Sequence, residues 1–300
     1  MSPDSVGAVP VPRPEASLGG VRVGGAHPVA VMGALNVSPE SFYAGSVHRD
    51  RDALVRAGVA MARAGAVILD VGARSTAPYR ETEIGEREEA ERLAGAVETL
   101  VAKVGLPVSA DTARLAPARA ALDAGATIVN DVTALADPDV GRLASARGAS
   151  LLLMASPAAL GATPPLTEPV AAVEAILTAA LARARAGGVP DTRVVLDPGV
   201  GFFRAEAVAW DVWDTQVLAR LDALLALGRP LCVGVSRKSF LGAITGRLDP
   251  ADRLPASIAA TALAVAGGAA VIRTHDVAET VDAVRVAERI RAARAAGQAR

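Results

Sequence analysis

The chain is poor in most features that mark a secreted, membrane or nucleic-acid-binding protein. It holds one cysteine, Cys232, in 300 residues, which excludes an intramolecular disulfide framework and suits a reducing cytoplasm. Aromatic residues make up only 3%, too few for a surface on which bases stack. The 31 Lys and Arg residues nearly cancel the 32 Asp and Glu residues. The net charge of −1 therefore gives no reason to expect nucleic acid or an anionic membrane as partner. No run of eighteen apolar residues occurs, so no transmembrane helix is expected. The opening MSPDSVGAVPVPRPEASLGG lacks the basic start and apolar centre of a signal peptide. Its prolines and glycines predict a flexible leader over residues 1–22, ahead of one domain at 23–296 and a short tail at 297–300.

Apolar residues are abundant, at 51%, and they are organised. Eight short runs recur: VAVMGALNV from Val29, AVILDVGA from Ala66, LPVSADT from Leu106, ATIVNDV from Ala126, ASLLLMA from Ala149, RVVLDPG from Arg193, PLCVGVS from Pro230 and AAVIRTHD from Ala269. Between most of them lie Ala-, Leu-, Glu- and Arg-rich segments of helical period, and Gly65, Gly105, Gly125, Gly148 and Gly228 precede runs where helices would end. Near-continuous apolar strands alternating with helices predict a parallel sheet covered by helices, and eight such units fit an α/β fold of the (β/α)8 TIM-barrel kind, in a single domain.

Nearly every run ends in a side chain that an apolar core would reject: Asn36, Asp70, Asp111, Asn130, Asp197, Ser236 with Lys238, and Arg273 with His275. In a barrel these ends converge on one mouth, where active sites are built. The carboxylates and the carboxamide suit a flat heterocycle rich in N–H and C=O groups, whereas Lys238, Arg273 and His275 suit an anion. Nucleotide-binding glycine motifs and the Gly-x-Ser-x-Gly elbow are absent. The histidines His27, His48 and His275 are too scattered for a zinc site. The run GEREEAERL reads as a solvated helix face, and Trp210 and Trp213 as packing residues.

Seven motifs carry a family resemblance: MGALNVSPESFYAG, LDVGARSTAP, SADT, NDV, LDPGVGF, GVSRKSFLG and RTHD. In this order, at matching strand ends from Pro28 to Ile290, the chain resembles the dihydropteroate synthases. The resemblance implies a transferase, usually a homodimer, that uses Mg2+. It joins a pterin bearing a methyl diphosphate to p-aminobenzoate and releases pyrophosphate, through SN1-like attack on a pterin methylene cation. It implies catalytic roles for Asp111, Lys238, Arg273 and His275, the last two as a pyrophosphate clamp, and an Mg2+ contact at Asn36. Asn130 and Asp197 resemble pterin ligands. Thr76 and Ser236 resemble groups beside the aminobenzoate carboxylate, with Phe202 as its apolar wall. Met154, Gly234 and Arg237 complete the substrate-binding set. Loops at about Ser38–Asp50 and Ala73–Ile84 resemble lids.

Three departures stand out. Ser75-Thr76-Ala77-Pro78 replaces Ser-Thr-Arg-Pro, leaving Arg74 and Arg80 as neighbouring cations; Met154-Ala155-Ser156 lacks a histidine; and the first loop reads SPESFYAGSV. These resemble archaeal-type relatives of methanopterin synthesis, in which a ribosylated aminobenzene replaces p-aminobenzoate. Two other readings remain: a methyltetrahydrofolate-binding methyltransferase with no pyrophosphate to expel, and a non-catalytic pterin-binding paralogue.

Overall fold

The computed structural model describes residues 13–37, 47–74, 84–157, 167–204 and 207–298. A hairpin, β1 (Glu15–Leu18) and β2 (Val21–Gly24), precedes the barrel. The barrel strands are β3 (Ala30–Asn36), β4 (Ile68–Gly72), β5 (Val108–Asp111), β6 (Ile128–Asp131), β7 (Ser150–Met154), β8 (Val194–Asp197), β9 (Cys232–Val233) and β10 (Val271–Thr274). All eight lie within the runs picked out from sequence. They pair in parallel in the order β8-β7-β6-β5-β4-β3-β10-β9, and a bridge from Leu196 to Leu231 closes the ring.

Helices follow the strands: α1 (Val47–Ala64), α2 (Glu86–Lys103), α3 (Leu115–Asp123), α4 (Pro138–Ala146), α5 (Pro169–Ala186), α6 (Trp210–Ala219), α7 (Leu221–Leu224), α8 (Ser239–Thr245), α9 (Leu254–Ala266) and α10 (Val277–Gln298). The alternation of side chains along each strand builds two apolar layers. Leu69, Val71, Val129, Leu151, Leu153 and Leu196 pack outward against the helices. Met32, Ile68, Ile128, Leu152, Val195, Cys232 and Val271 fill the lumen. No helix among the described residues is long and apolar enough to cross a membrane.

The hairpin corrects the expected leader. Residues 15–24 are ordered because Ala16, Leu18 and Val23 join the lumen cluster and stopper the barrel floor. The two-residue turn at Gly19 and Gly20 has φ of 59° and 91°. Positive φ at both turn residues is the geometry that lets so short a hairpin follow the strand twist. Ser150 ties it down, accepting from the Gly19 N–H at 3.0 Å and donating to the Ser17 carbonyl at 2.9 Å. The expected tail at 297–300 likewise gives way to helix through Gln298.

Leu18 is fully buried at this seal. Leu18→Ala is expected to lower the unfolding free energy by about 2–5 kcal/mol, the range for a buried leucine truncation, in urea titration. A midpoint unchanged from wild type would mean that the hairpin does not brace the floor.

Candidate active site

The strands deliver five polar residues and one methionine to the mouth: Asp70 lies on β4, Asp111 on β5, Asn130 on β6, Met154 on β7, Asp197 on β8 and Arg273 on β10. At its centre the Arg273 guanidinium bridges two carboxylates. Nε donates to Asp70 Oδ2 at 2.6 Å and Nη2 to Asp111 Oδ2 at 3.0 Å. Asn130 Nδ2 also donates to Asp70 Oδ2, at 3.2 Å. Asp70 and Asp111 are buried, and the Oδ1 atom of each has no hydrogen-bond partner. Burial, then the charge of Asp70, pushes the Asp111 carboxyl well above its ordinary range, against the pull of Arg273 and Arg74. Burial works against the Arg273 charge, but Asp70 and Asp111 outweigh it and hold the guanidinium protonated.

The second half of the mouth is the turn after β8. Asp197 accepts from the Gly199 N–H at 2.8 Å, and Asp214, buried on α6, accepts from the Gly201 N–H at 2.7 Å. Both glycines are required. At Gly199 (φ 72°) a Cβ would lie 2.1 Å from the Ala155 carbonyl oxygen, and at Gly201 (φ 88°) 2.7 Å from Lys238 Cδ. The turn thus lays the Phe202 ring 4.2 Å from Lys238 Nζ, a cation–π contact. Burial raises Asp197 to about 6, opposed by the Gly199 N–H and by Lys238. Burial lowers Lys238 to about 8, opposed by Asp197. Behind the turn Phe203 stacks on buried Trp213 at 4.6 Å, and Arg204 lies over Trp210 at 4.8 Å, so both tryptophans pack.

Asp111, Asn130, Met154, Asp197, Phe202, Gly234, Lys238 and Arg273 line a single pocket, together with Val132 and Val200. Ser236 and His275 are not among the lining residues but follow Gly234 and Arg273, which are, by two positions, with Ser236 Oγ 3.1 Å from His275 Nδ1. Loss of water contact, then the charge of Arg273, holds His275 below its usual range. Its ring is therefore neutral near pH 7. Asn36 is exposed at the end of β3. Thr76, Ala77 and Arg80 lie outside the described residues, as do most of the two predicted lids.

Arg237, expected in the substrate-binding set or with an ion-pair partner, is held here by an ion pair. Its guanidinium makes a two-pronged pair with Asp276, at 2.9 and 2.7 Å, and donates to the Pro250 and Ala251 carbonyls. With φ at 54°, Arg237 breaks the strand alternation. Ser236 and Lys238 then both serve the mouth while Arg237 is held behind it. Glu89, within the run read as a solvated face, is buried instead. It accepts from Thr112 Oγ1 at 2.7 Å and Arg114 Nη1 at 3.1 Å, holding the segment after β5. Asp214 was missed because a carboxylate in a helical stretch gives no sign that it faces a backbone amide.

The chain as a whole matches known proteins. The family described as pterin binding enzyme covers residues 32–275. A dihydropteroate synthase of Mycobacterium leprae is 39% identical over 269 residues, 86% of this chain and 92% of that one. The chain belongs to the dihydropteroate synthase family. A probable bifunctional folylpolyglutamate synthase/dihydropteroate synthase of Haloferax volcanii is 41% identical over 261 residues, and this chain spans 30% of its length. The structure of a Xanthomonas albilineans dihydropteroate synthase with 4-aminobenzoic acid superposes with a TM-score of 0.82 at 37% identity, covering 93% of this chain and 99% of that one.

In this dihydropteroate synthase family member, Arg273 is what makes two facing carboxylates tolerable. Arg273→Met is expected to lower the unfolding free energy by about 3–5 kcal/mol near pH 7, the range for a broken buried pair. Without the cation the Asp111 carboxyl rises further, and a raised carboxyl loses stability as pH rises through it. The deficit should therefore shrink at pH 5, as read from urea midpoints at the two pH values. Equal midpoints for variant and wild type at pH 7 would refute this account of the mouth.

Proposed function

We propose that this chain joins the methylene of a pterin methyl diphosphate to an aromatic amine and releases pyrophosphate, the dihydropteroate synthase reaction. The observation that carries this reading is the pocket itself: buried Asp197 and Asn130 on one side, Lys238 over Phe202 on another, and an underneutralised carboxylate, Asp111, on its wall. An amino-pyrimidine edge donates two parallel N–H groups, and Asp197 accepts them when ionised. Lys238 covers the ring's polar edge while Phe202 closes the apolar side.

Asp111 fits a reaction that develops positive charge. One of its oxygens is buried without a partner, so a pterin methylene cation formed beside it gains more than the neutral ground state does. The weakly basic aryl amine then attacks that carbon, the carbon–oxygen bond to diphosphate having broken, and the amine proton passes to solvent. No strong general base is needed. Closure over the mouth keeps water from the cation.

Mg2+ is part of the proposal. No cluster of three or more His, Cys, Asp or Glu residues that could hold a metal occurs among the described residues. The exposed Asn36 carboxamide is a single neutral oxygen ligand, which suits an ion that arrives with the diphosphate. Asn36 would hold it, and the ion would offset charge on the leaving group. Ser236, two positions beyond the pocket-lining Gly234, supports an acceptor carrying an anionic group, either p-aminobenzoate or a ribosylated aminobenzene of the methanopterin kind. Exposed Leu263 on α9, with Val286 and Ile290 on α10, supports a homodimer. The buried free Cys232 suits a reducing cytoplasm.

The test is release of pyrophosphate from the pterin methyl diphosphate with each of the two anilines. Product with either is expected. Methyl transfer without pyrophosphate, or tight pterin binding with no product from either amine, would replace this reading with a methyltransferase or a non-catalytic paralogue. Lys238→Ala is expected to lower kcat/KM at least a hundredfold at unchanged thermal midpoint; near-normal turnover would remove Lys238 from the mechanism. Asp197 is raised to about 6, so it loses its ionised acceptor as pH falls through that value. Pterin affinity, read by calorimetry, should weaken below pH 6 in the wild type and lose this dependence in Asp197→Asn. A pH-independent wild-type affinity would separate Asp197 from the ring.

A further inference from the structure

The cations at the mouth are unequally committed. Arg273 is shared by Asp70 and Asp111, Arg237 is paired with Asp276, and Arg114 is paired with Glu89. Lys238 faces the Phe202 ring and Arg204 the Trp210 ring. Arg74 forms no ion pair among the described residues, and its Nε is buried without a hydrogen-bond partner. A buried guanidinium N–H with nothing to donate to is costly, and of the three arginines in that state among the described residues (Arg74, Arg92 and Arg229) only Arg74 follows closely on a barrel strand.

Its place in the fold says which ligand. Arg74 lies two residues beyond the end of β4, whose neighbours are β3 and β5. Gly72 pairs with Asn36 across the sheet, and a Cβ on Gly72 would lie 3.4 Å from Asp111 Cβ. Arg74 is near enough for its charge to act on Asp111. This corner is remote around the ring from the β8–β9 side, where Lys238, Phe202 and Asp197 sit. At the centre two carboxylates share one guanidinium, so Arg273 is already taken up by Asp70 and Asp111. Neutral His275 adds no charge there.

We propose that Arg74 is a substrate-binding residue that holds the diphosphate of the pterin substrate at the β3–β4–β5 corner. This rests on the reaction proposed above, which brings a multiply charged leaving group to this mouth. The unpaired guanidinium supplies the positive charge that the Arg273 cluster has already spent. Bonding to phosphoryl oxygens satisfies its Nε, and a two-pronged contact favours Arg over Lys at this position.

The test measures inorganic pyrophosphate binding by calorimetry with Mg2+ present, in wild type, Arg74→Gln and Arg74→Lys. The affinity is expected to fall at least tenfold in Arg74→Gln and to recover in part in Arg74→Lys. KM for the pterin diphosphate should rise, with KM for the aniline unchanged. Pyrophosphate affinity equal to wild type in Arg74→Gln overturns the inference, even if stability falls, because Arg74 would then only brace Asp111. Wild type that does not bind pyrophosphate overturns it too. A wild type that gives no product with either aniline, yet loses pyrophosphate affinity on Arg74→Gln, supports the inference and overturns the reaction. A wild type that turns over, with pyrophosphate affinity untouched in the variant, does the reverse.

Discussion

Two buried carboxylates share one guanidinium, and the mouth of this barrel is organised around that shortage of positive charge. Asp70, Asp111 and Arg273 come from β4, β5 and β10, and Asn130 adds β6, so four strands are cross-linked through one polar cluster. Such an arrangement is a poor way to gain stability, since hydrophobic replacements of buried ion pairs are often neutral or better. Its value lies in a fixed electrostatic field. The cluster is buried and short of cations, so its field favours a positive charge beside Asp111.

The opposite side of the mouth is built by backbone instead of side-chain pairing. Two glycines in left-handed conformation let the turn after β8 pass beneath the Ala155 carbonyl and beside Lys238. Two carboxylates, Asp197 and Asp214, fix the turn through its amides. Phe202 is thereby set against Lys238 without a flexible loop between them. A wall with one lowered ammonium faces a corner with a carboxylate of raised pKa across the mouth.

The strands and their polar ends were legible in the sequence because each relies on local information: an apolar run of a few residues followed by a residue the core rejects. Eight residues assigned from sequence, including Asp111, Asn130, Asp197, Lys238 and Arg273, line one pocket. What the sequence hid is long-range partnership. Arg237 and Lys238 are adjacent cations with no local feature to tell them apart, yet Asp276, 39 residues on from Arg237, claims the first. Asp214 and Glu89 sit in helices whose charge pattern looks solvated, and only the packing turns them towards an amide or a hydroxyl. The hairpin reads as part of a leader because its glycines, and the prolines just before it, signal a turn and a mobile segment alike. The contact of Leu18 with the lumen decides between them.

The stoppered floor carries a consequence for assembly. The hairpin approaches the barrel from below, and α10 descends to the same side, where Glu288 accepts from the Val29 N–H at 2.7 Å just before β3. Both ends of the domain are therefore anchored on the face opposite the mouth. A tether, tag or fused domain joined at either end hangs from the base like a stalk. The catalytic opening stays free to the solvent, and a protein immobilised by its ends presents that opening outward.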